Sequence, residues 1–122
     1  MNEVSNTKAK IYDLEERTFN FAKRVNEYVN RLPKTISNIE NGKQLVRSGA
    51  SVGANYIEAN NALGKKDFMM RIRISKKEAK ESYFWIRLTE PVTSQLHEKE
   101  ALLNESMELV KIFGSILEKS KV

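Results

Sequence analysis

The chain has 122 residues, 30% charged and 40% apolar, a length that suits one domain around one core (residues 1–122) and a composition well short of a disordered one. It has no cysteine, which excludes disulfides, thiolate metal sites and cysteine nucleophiles and makes the cytoplasm the expected compartment. The formal net charge of +5 is uneven: residues 61–90 hold eight Lys/Arg against four Asp/Glu, residues 1–60 nine against seven, and residues 91–122 four against five.

The opening MNEVSNTKAK lacks the apolar run of a signal peptide, and no window approaches the roughly 18 apolar residues of a membrane span, so no membrane partner is expected. With two prolines, five glycines and no alternating runs of Val, Ile and Thr, the chain reads as all helix. The first helix is predicted from about Tyr12 to Leu32, where Leu14, Phe21, Val25, Tyr28 and Leu32 recur at helical spacing, and Pro33 ends it. Ser37 and Glu40 stand three apart as in a capping box and predict a second helix over 37–63, with Gly64 as its left-handed C-terminal residue. Asn41-Gly42 is a competing turn signal that would delay the start to about Lys43. A third helix over 67–90 places Phe68, Ile72, Ser75, Ala79, Ser82 and Ile86 on one face and closes or kinks at Pro91. The fourth, over 98–119, carries two apolar rows: Leu102, Leu109, Phe113 and Ile116, then Leu103, Met107, Val110 and Leu117. The second row exceeds the need of one bundle seam, and a helix of this kind often meets another subunit as well as its own core. Four helices with short loops predict an antiparallel up-down-up-down four-helix bundle.

The stretch RSGASVGANYIEAN, residues 47–60, is dense in Gly, Ala and Ser. Helical glycine costs about 0.5–1 kcal/mol relative to alanine, so Gly49 and Gly53 imply a compensating close approach of helices, within the subunit or between copies. Arg47, Ser51, Ala54 and Glu58 share a stripe and could enter a buried or half-buried network with another helix, as a structural register device or as a ligand pocket.

Arg17-Thr18 with Phe21-Ala22, Leu32-Pro33-Lys34, QLVRSGASVGANYIEAN (44–60) and KKDFMMRIRISKKEAKESYFWI (65–86) resemble the bacterial 23S rRNA-intervening-sequence family, also called ribosomal S23-like. The likeness extends over about residues 12–119. It implies a four-helix bundle assembling as a homo-oligomeric ring, a homopentamer in characterised relatives, similar to the basic accessory variability determinant of diversity-generating retroelements, which associates with reverse transcriptase and nucleic acid. It also implies that Arg47, Ser48, Ser51, Gly53, Asn55, Glu58 and Ala59 of the second helix, with Asp67, Phe68, Glu78, Glu81 and Trp85 of the third, are signature positions. Gly49 replaces the more usual Ala and Gly64 the more usual Ser.

Catalytic patterns are mostly absent. Di-iron bundles need Glu-x-x-His pairs, yet His97 is the sole histidine and Ser94 precedes it by three. Neither a GxxxxGK[ST] nor a GxGxxG loop occurs, so no cofactor is expected. Glu58, Glu78 and Glu81 sit among lysines and read as ion-pair partners rather than an acid–base set, and no enzyme is expected. Lys65, Lys66, Arg71, Arg73, Lys76, Lys77, Lys80 and Arg87 give the third helix a basic surface, with Lys77, Lys80, Phe84 and Arg87 close to one stripe, either a nucleic-acid contact or a solvated face balanced by Glu78 and Glu81. Tyr83, Phe84 and Trp85 are consecutive and point in different directions, so at least one faces a core or an interface, a use favoured over base stacking. The expected function is a non-enzymatic scaffold or adaptor that self-associates and binds RNA or DNA, the alternative being a protein-interaction module without nucleic acid.

Overall fold

The structure, a computed structural model, describes residues 13–121. Four helices run in order: α1 (Leu14–Asn30), α2 (Ile36–Asn60), α3 (Lys65–Leu88) and α4 (Leu96–Ser120), the last entered through a short 3-10 turn, Thr93–Gln95. No strand occurs among the described residues, and no helix there is long and apolar enough to cross a membrane. Cross-helix pairs show that neighbours alternate in direction. Gly42 faces Val29 and Gly53 faces Thr18; Val52 meets Ser75 and Asn38 meets Glu90; Gly114 faces Lys76; Arg17 pairs with Glu105 and Arg24 with Glu98. Each helix thus packs on its sequence neighbour and α4 closes back on α1. The core is filled by Phe21, Val25 and Tyr28 of α1, Leu45 and Val52 of α2, Ile72, Ala79 and Ile86 of α3, and Leu102, Leu109 and Phe113 of α4.

Local signals set the helix ends, several of them differently from expectation. Tyr12 lies outside the described residues, and α1 stops at Asn30, with Leu32 beyond its end still buried. Thr35, not Ser37, caps α2: its hydroxyl accepts the Asn38 amide at 3.1 Å, while the Glu40 carboxylate turns outward to Lys43. The helix runs unbroken through Asn41-Gly42, because the missing side chain at Gly42 is what lets Val29 of α1 come close. It ends at Asn60, three residues early, and Gly64 is extended (φ −159°) as the residue preceding α3, not a left-handed cap. α3 starts at Lys65 and closes at Thr89, whose hydroxyl donates to Ile86 O at 2.6 Å, ahead of Pro91. α4 begins earlier than expected, so His97 stands exposed in its first turn rather than in a loop.

The small residues of α2 serve two neighbours. Gly42, Gly49 and Gly53 lie against α1, where an added methyl would stand 2.9 Å from Val29 Cγ1, 3.3 Å from Val25 Cγ1 and 2.8 Å from Thr18 Oγ1. On the other flank, Ser48 and Ser82 share a buried hydrogen bond of 2.9 Å, and the Ser75 hydroxyl donates to Val52 O at 2.9 Å. Each buried hydroxyl therefore has a partner, which removes the penalty of burying it. Loops at one end of the bundle are tied by Asn38, only 2% exposed, whose amide donates to Pro33 O and Glu90 O and whose Oδ1 accepts the Glu90 amide. Tyr28 adds a 2.7 Å hydroxyl contact to Thr89, and Gln95 donates to Tyr28 O.

The second apolar row of α4 is not a free surface: Val110 is buried, and Leu103, Met107 and Leu117 pack half-buried against the core. Among the described residues of α4 the only exposed large apolar side chain is Leu96. The bundle itself absorbs the wide arc, since α4 faces both α3 and α1.

Two outcomes follow from this packing. Gly53→Ala, measured by urea denaturation, loses about 1–3 kcal/mol because the methyl meets the Thr18 side chain in a full site, and Gly53→Leu loses more. Gly114→Ala, whose methyl meets only the Lys76 side chain at 3.5 Å, is neutral or gains up to about 1 kcal/mol. Burial raises the Tyr28 pKa above 10.0, against a smaller lowering by the Thr89 hydrogen bond. Its folded value exceeds its unfolded one, so its contribution is complete below pH 10 and is lost as pH rises through the folded pKa. Tyr28→Phe is less stable at neutral pH by about 0.5–1.5 kcal/mol and declines less steeply than the parent above pH 10 in the same denaturation assay.

Candidate nucleic-acid interface

The inward face of α3 carries Ile72, Ser75, Ala79, Ser82 and Ile86. At 100° per residue this fixes what points away from the bundle. Lys66, Met70, Arg73, Lys77, Lys80 and Phe84, spaced 4, 3, 4, 3 and 4, form one outward stripe, and all six are exposed. From Lys66 to Phe84 the stripe runs about 27 Å at 1.5 Å per residue. It borders two shallow grooves. One, of about 580 Å³, includes Gly64, Lys66, Asp67, Met70 and Arg73; the other, of about 650 Å³ between α3 and α4, includes Arg73, Lys76, Lys77, Lys80, Glu81, Phe84 and Leu117. Arg73 belongs to both and joins them.

The eight basic residues singled out in the sequence divide into four groups. Lys66, Arg73 and Lys80 are exposed and make no side-chain ion pair with a described residue, and half-buried Lys76 lies across α4 beside Gly114. Lys65 is exposed at the helix entry. Lys77 is 3.7 Å from Glu81 in an exposed pair, and Arg87 sits over the Tyr83 ring at 5.7 Å, its charge still in solvent. Such contacts leave a cation available, because exposed pairs are weak. Arg71 is the exception. It lies about 200° around the helix from Arg73 and donates to Asn55 Oδ1 at 3.0 Å, so it belongs to the α2–α3 seam.

That seam holds three of the twelve signature positions, Ser48, Ser51 and Asn55. Asn55 donates to Ser51 O (2.9 Å) and Ser51 Oγ (3.0 Å) while accepting from Arg71, a clamp joining α2 to α3. Ser48 and Gly53 are buried in helix contacts, and Phe68 and Trp85 pack half-buried on the core. The predicted stripe of Arg47, Ser51, Ala54 and Glu58 does not form a buried network: Arg47, Ala54 and Glu58 are exposed, and neither charge pairs with a described residue. The α2–α3 contact instead uses the flank carrying Ser48, Val52 and Asn55. Asp67 is exposed as well. Glu78 is buried, 7% exposed, and its Oε1, like Trp85 Nε1, has no hydrogen-bond partner among the described residues. No group of three or more metal-ligating side chains occurs among the described residues.

Of the exposed apolar members of the stripe, sequence spacing placed Phe84 beside Lys77 and Lys80, and Met70 was missed. Phe84 is 52% exposed and Met70 44%, both between cations. The helical spacing with Lys77 and Lys80 was the available signal for Phe84; only the burial of its neighbour Trp85 decides which of the consecutive aromatics faces out. A second exposed apolar region lies in the α1–α2 groove, where Phe19 and Ile57 flank Ala50 and Ala54.

Arg71 and Arg73 provide a direct check of this division. Arg71→Ala breaks the Asn55 bond and lowers stability by about 1 kcal/mol or more, whereas Arg73→Ala stays within about 0.5 kcal/mol of the parent in chemical denaturation.

The family described as 23S rRNA-intervening sequence protein matches residues 10–115 of the chain. A 1.70 Å crystal structure of a protein with unknown function from the S23 ribosomal protein family of Bacteroides thetaiotaomicron VPI-5482 is similar: 28% identity, TM-score 0.70, covering 85% of this chain and 94% of that one. No sequence among curated proteins matches it.

Proposed function

The chain belongs to the 23S rRNA-intervening sequence protein family, and we propose that it is a non-enzymatic, homo-oligomeric adaptor of the cytoplasm that associates with RNA or DNA through the outward surface of α3. The observation that carries this reading is the stripe of exposed cations from Lys66 to Lys80, in which, among the described residues, only Lys77 has a nearby carboxylate partner, at 3.7 Å. A row of this kind binds phosphates by releasing condensed counterions, with no need to read bases. A ring of copies, pentameric as the resemblance to the accessory variability determinant implies, repeats the stripe and gains avidity over one copy.

For self-association the α1–α2 groove is the supported face, with Phe19 59% exposed and Ile57 46%, since the apolar rows of α4 are occupied inside the bundle. That same exposure favours the second reading, a protein-interaction module seating a different protein there without nucleic acid.

Binding of a generic RNA measured at 50–200 mM salt decides between them. The adaptor reading expects affinity at low salt that falls linearly on log–log axes with a slope near −0.7 per phosphate contacted on a single strand. No binding at low salt, or binding indifferent to salt, removes the nucleic-acid reading. Mass in solution is expected to be a multiple of 14.1 kDa, reduced by Ile57→Asp; a parent that is monomeric at micromolar concentration removes the oligomer.

A further inference from the structure

Charge alone does not account for Phe84. Its ring is 52% exposed and held edge-to-face against Trp85, with centroids 5.0 Å apart, so its orientation is set while half of it stays open. It lines the α3–α4 groove together with Arg73, Lys76, Lys80 and Leu117. Gly114 of α4 leaves room for the Lys76 ammonium at the groove wall, 3.5 Å from where a methyl would stand. Among the described residues the one carboxylate in the groove, Glu81, faces Lys77 at 3.7 Å, which leaves Arg73, Lys76 and Lys80 there without a carboxylate partner. Arg73 and Lys77, and Lys76 and Lys80, are each four residues apart, about 6 Å along the axis.

We infer that this groove binds single-stranded polynucleotide, with phosphates on Arg73, Lys76 and Lys80 and an unpaired base stacked on the open face of Phe84. The inference rests on the nucleic-acid reading above and narrows it to one strand and one groove. A duplex keeps its base faces inside the helix, so it would satisfy the cations and leave the ring in water; an acidic polypeptide has no flat face to offer it. Only an unpaired base uses both features, and cations beside an aromatic platform are the means by which single strands are held without sequence preference. The three cations and the ring touch phosphate and base rather than sugar, so ribose and deoxyribose strands are treated alike.

The test is fluorescence anisotropy at low salt with labelled dT15, rU15 and a 15-base-pair DNA duplex, alongside emission from Trp85, the only tryptophan of the chain. The two single strands should bind within about threefold of each other and tighter than the duplex. Binding should change Trp85 emission, because its ring contacts Phe84. Phe84→Ala should weaken single-strand binding about fivefold or more, the lower end for loss of one stacked base, and leave duplex binding unchanged. Lys80→Gln should lower the salt slope on dT15 by about 0.7. A melting curve confirms that both variants are folded. Phe84→Ala binding dT15 like the parent, a duplex bound as tightly as the single strands, a preference for one sugar beyond tenfold, or polyglutamate competing as well as dT15 would each overturn the inference while leaving a basic surface on α3. No polynucleotide binding by the parent at low salt is a separate result, which removes the nucleic-acid reading together with this one.

Discussion

Close approach of α2 to both of its neighbours is the constraint on which the bundle depends. Gly42, Gly49 and Gly53 form a bare row against Val29, Val25 and Thr18 of α1, while Ser48, Val52 and Ala59 occupy buried positions on the helix. Three glycines inside a 25-residue helix each cost about 0.5–1 kcal/mol in propensity. The compensation is close packing on α1, with methyl groups of Val25 and Val29 in the space a Cβ would fill. A helix so sparing of side chains can be central only because its neighbours bring theirs.

The α2–α3 seam solves a different problem. α3 is strongly polar, and its buried side includes Ser75, Glu78 and Ser82. The two serines are tolerated because each finds an acceptor at about 2.9 Å, one on the backbone of α2 and one on its own helix, and because Ser48 meets Ser82 directly. The Ser51–Asn55–Arg71 clamp extends this line toward the solvent edge. Directional bonds of this kind fix the rotation of α3 about its own axis more sharply than apolar contacts would, and that rotation determines which charges point outward.

The rotation of α3 sets the outward surface of the bundle. With the serine face turned to α2, Lys66, Arg73, Lys77 and Lys80 line up on the opposite side, and Phe84 completes the row in a groove walled by α4. A rotation of about 100° would bury part of the row and expose the seam. The surface has flat apolar and positively charged elements and few neutral hydrogen-bonding groups, which for the proposed nucleic-acid role means backbone and ring contacts rather than the reading of base edges.

Taken alone, the sequence determined the helical class, the four helices to within a few residues at most ends, the core positions of α1, α3 and α4, and the family, since apolar spacing and a long small-residue motif are local properties. It also showed that the small residues must meet another helix. Tertiary structure decided which one: the glycines serve α1 and the serines α3, a distinction that helical periodicity cannot make because both rows lie on the same helix. It decided that the wide apolar arc of α4 is consumed by two neighbours within the chain. It separated Arg71 from Arg73 and left Arg47 and Glu58 in solvent, since a stripe drawn on one helix does not say where the next helix lies. The Thr35 cap prevailed over the Ser37–Glu40 pattern, and Asn41-Gly42 stayed helical, because the positions of α1 and the connecting loop, not local preference, set where α2 begins.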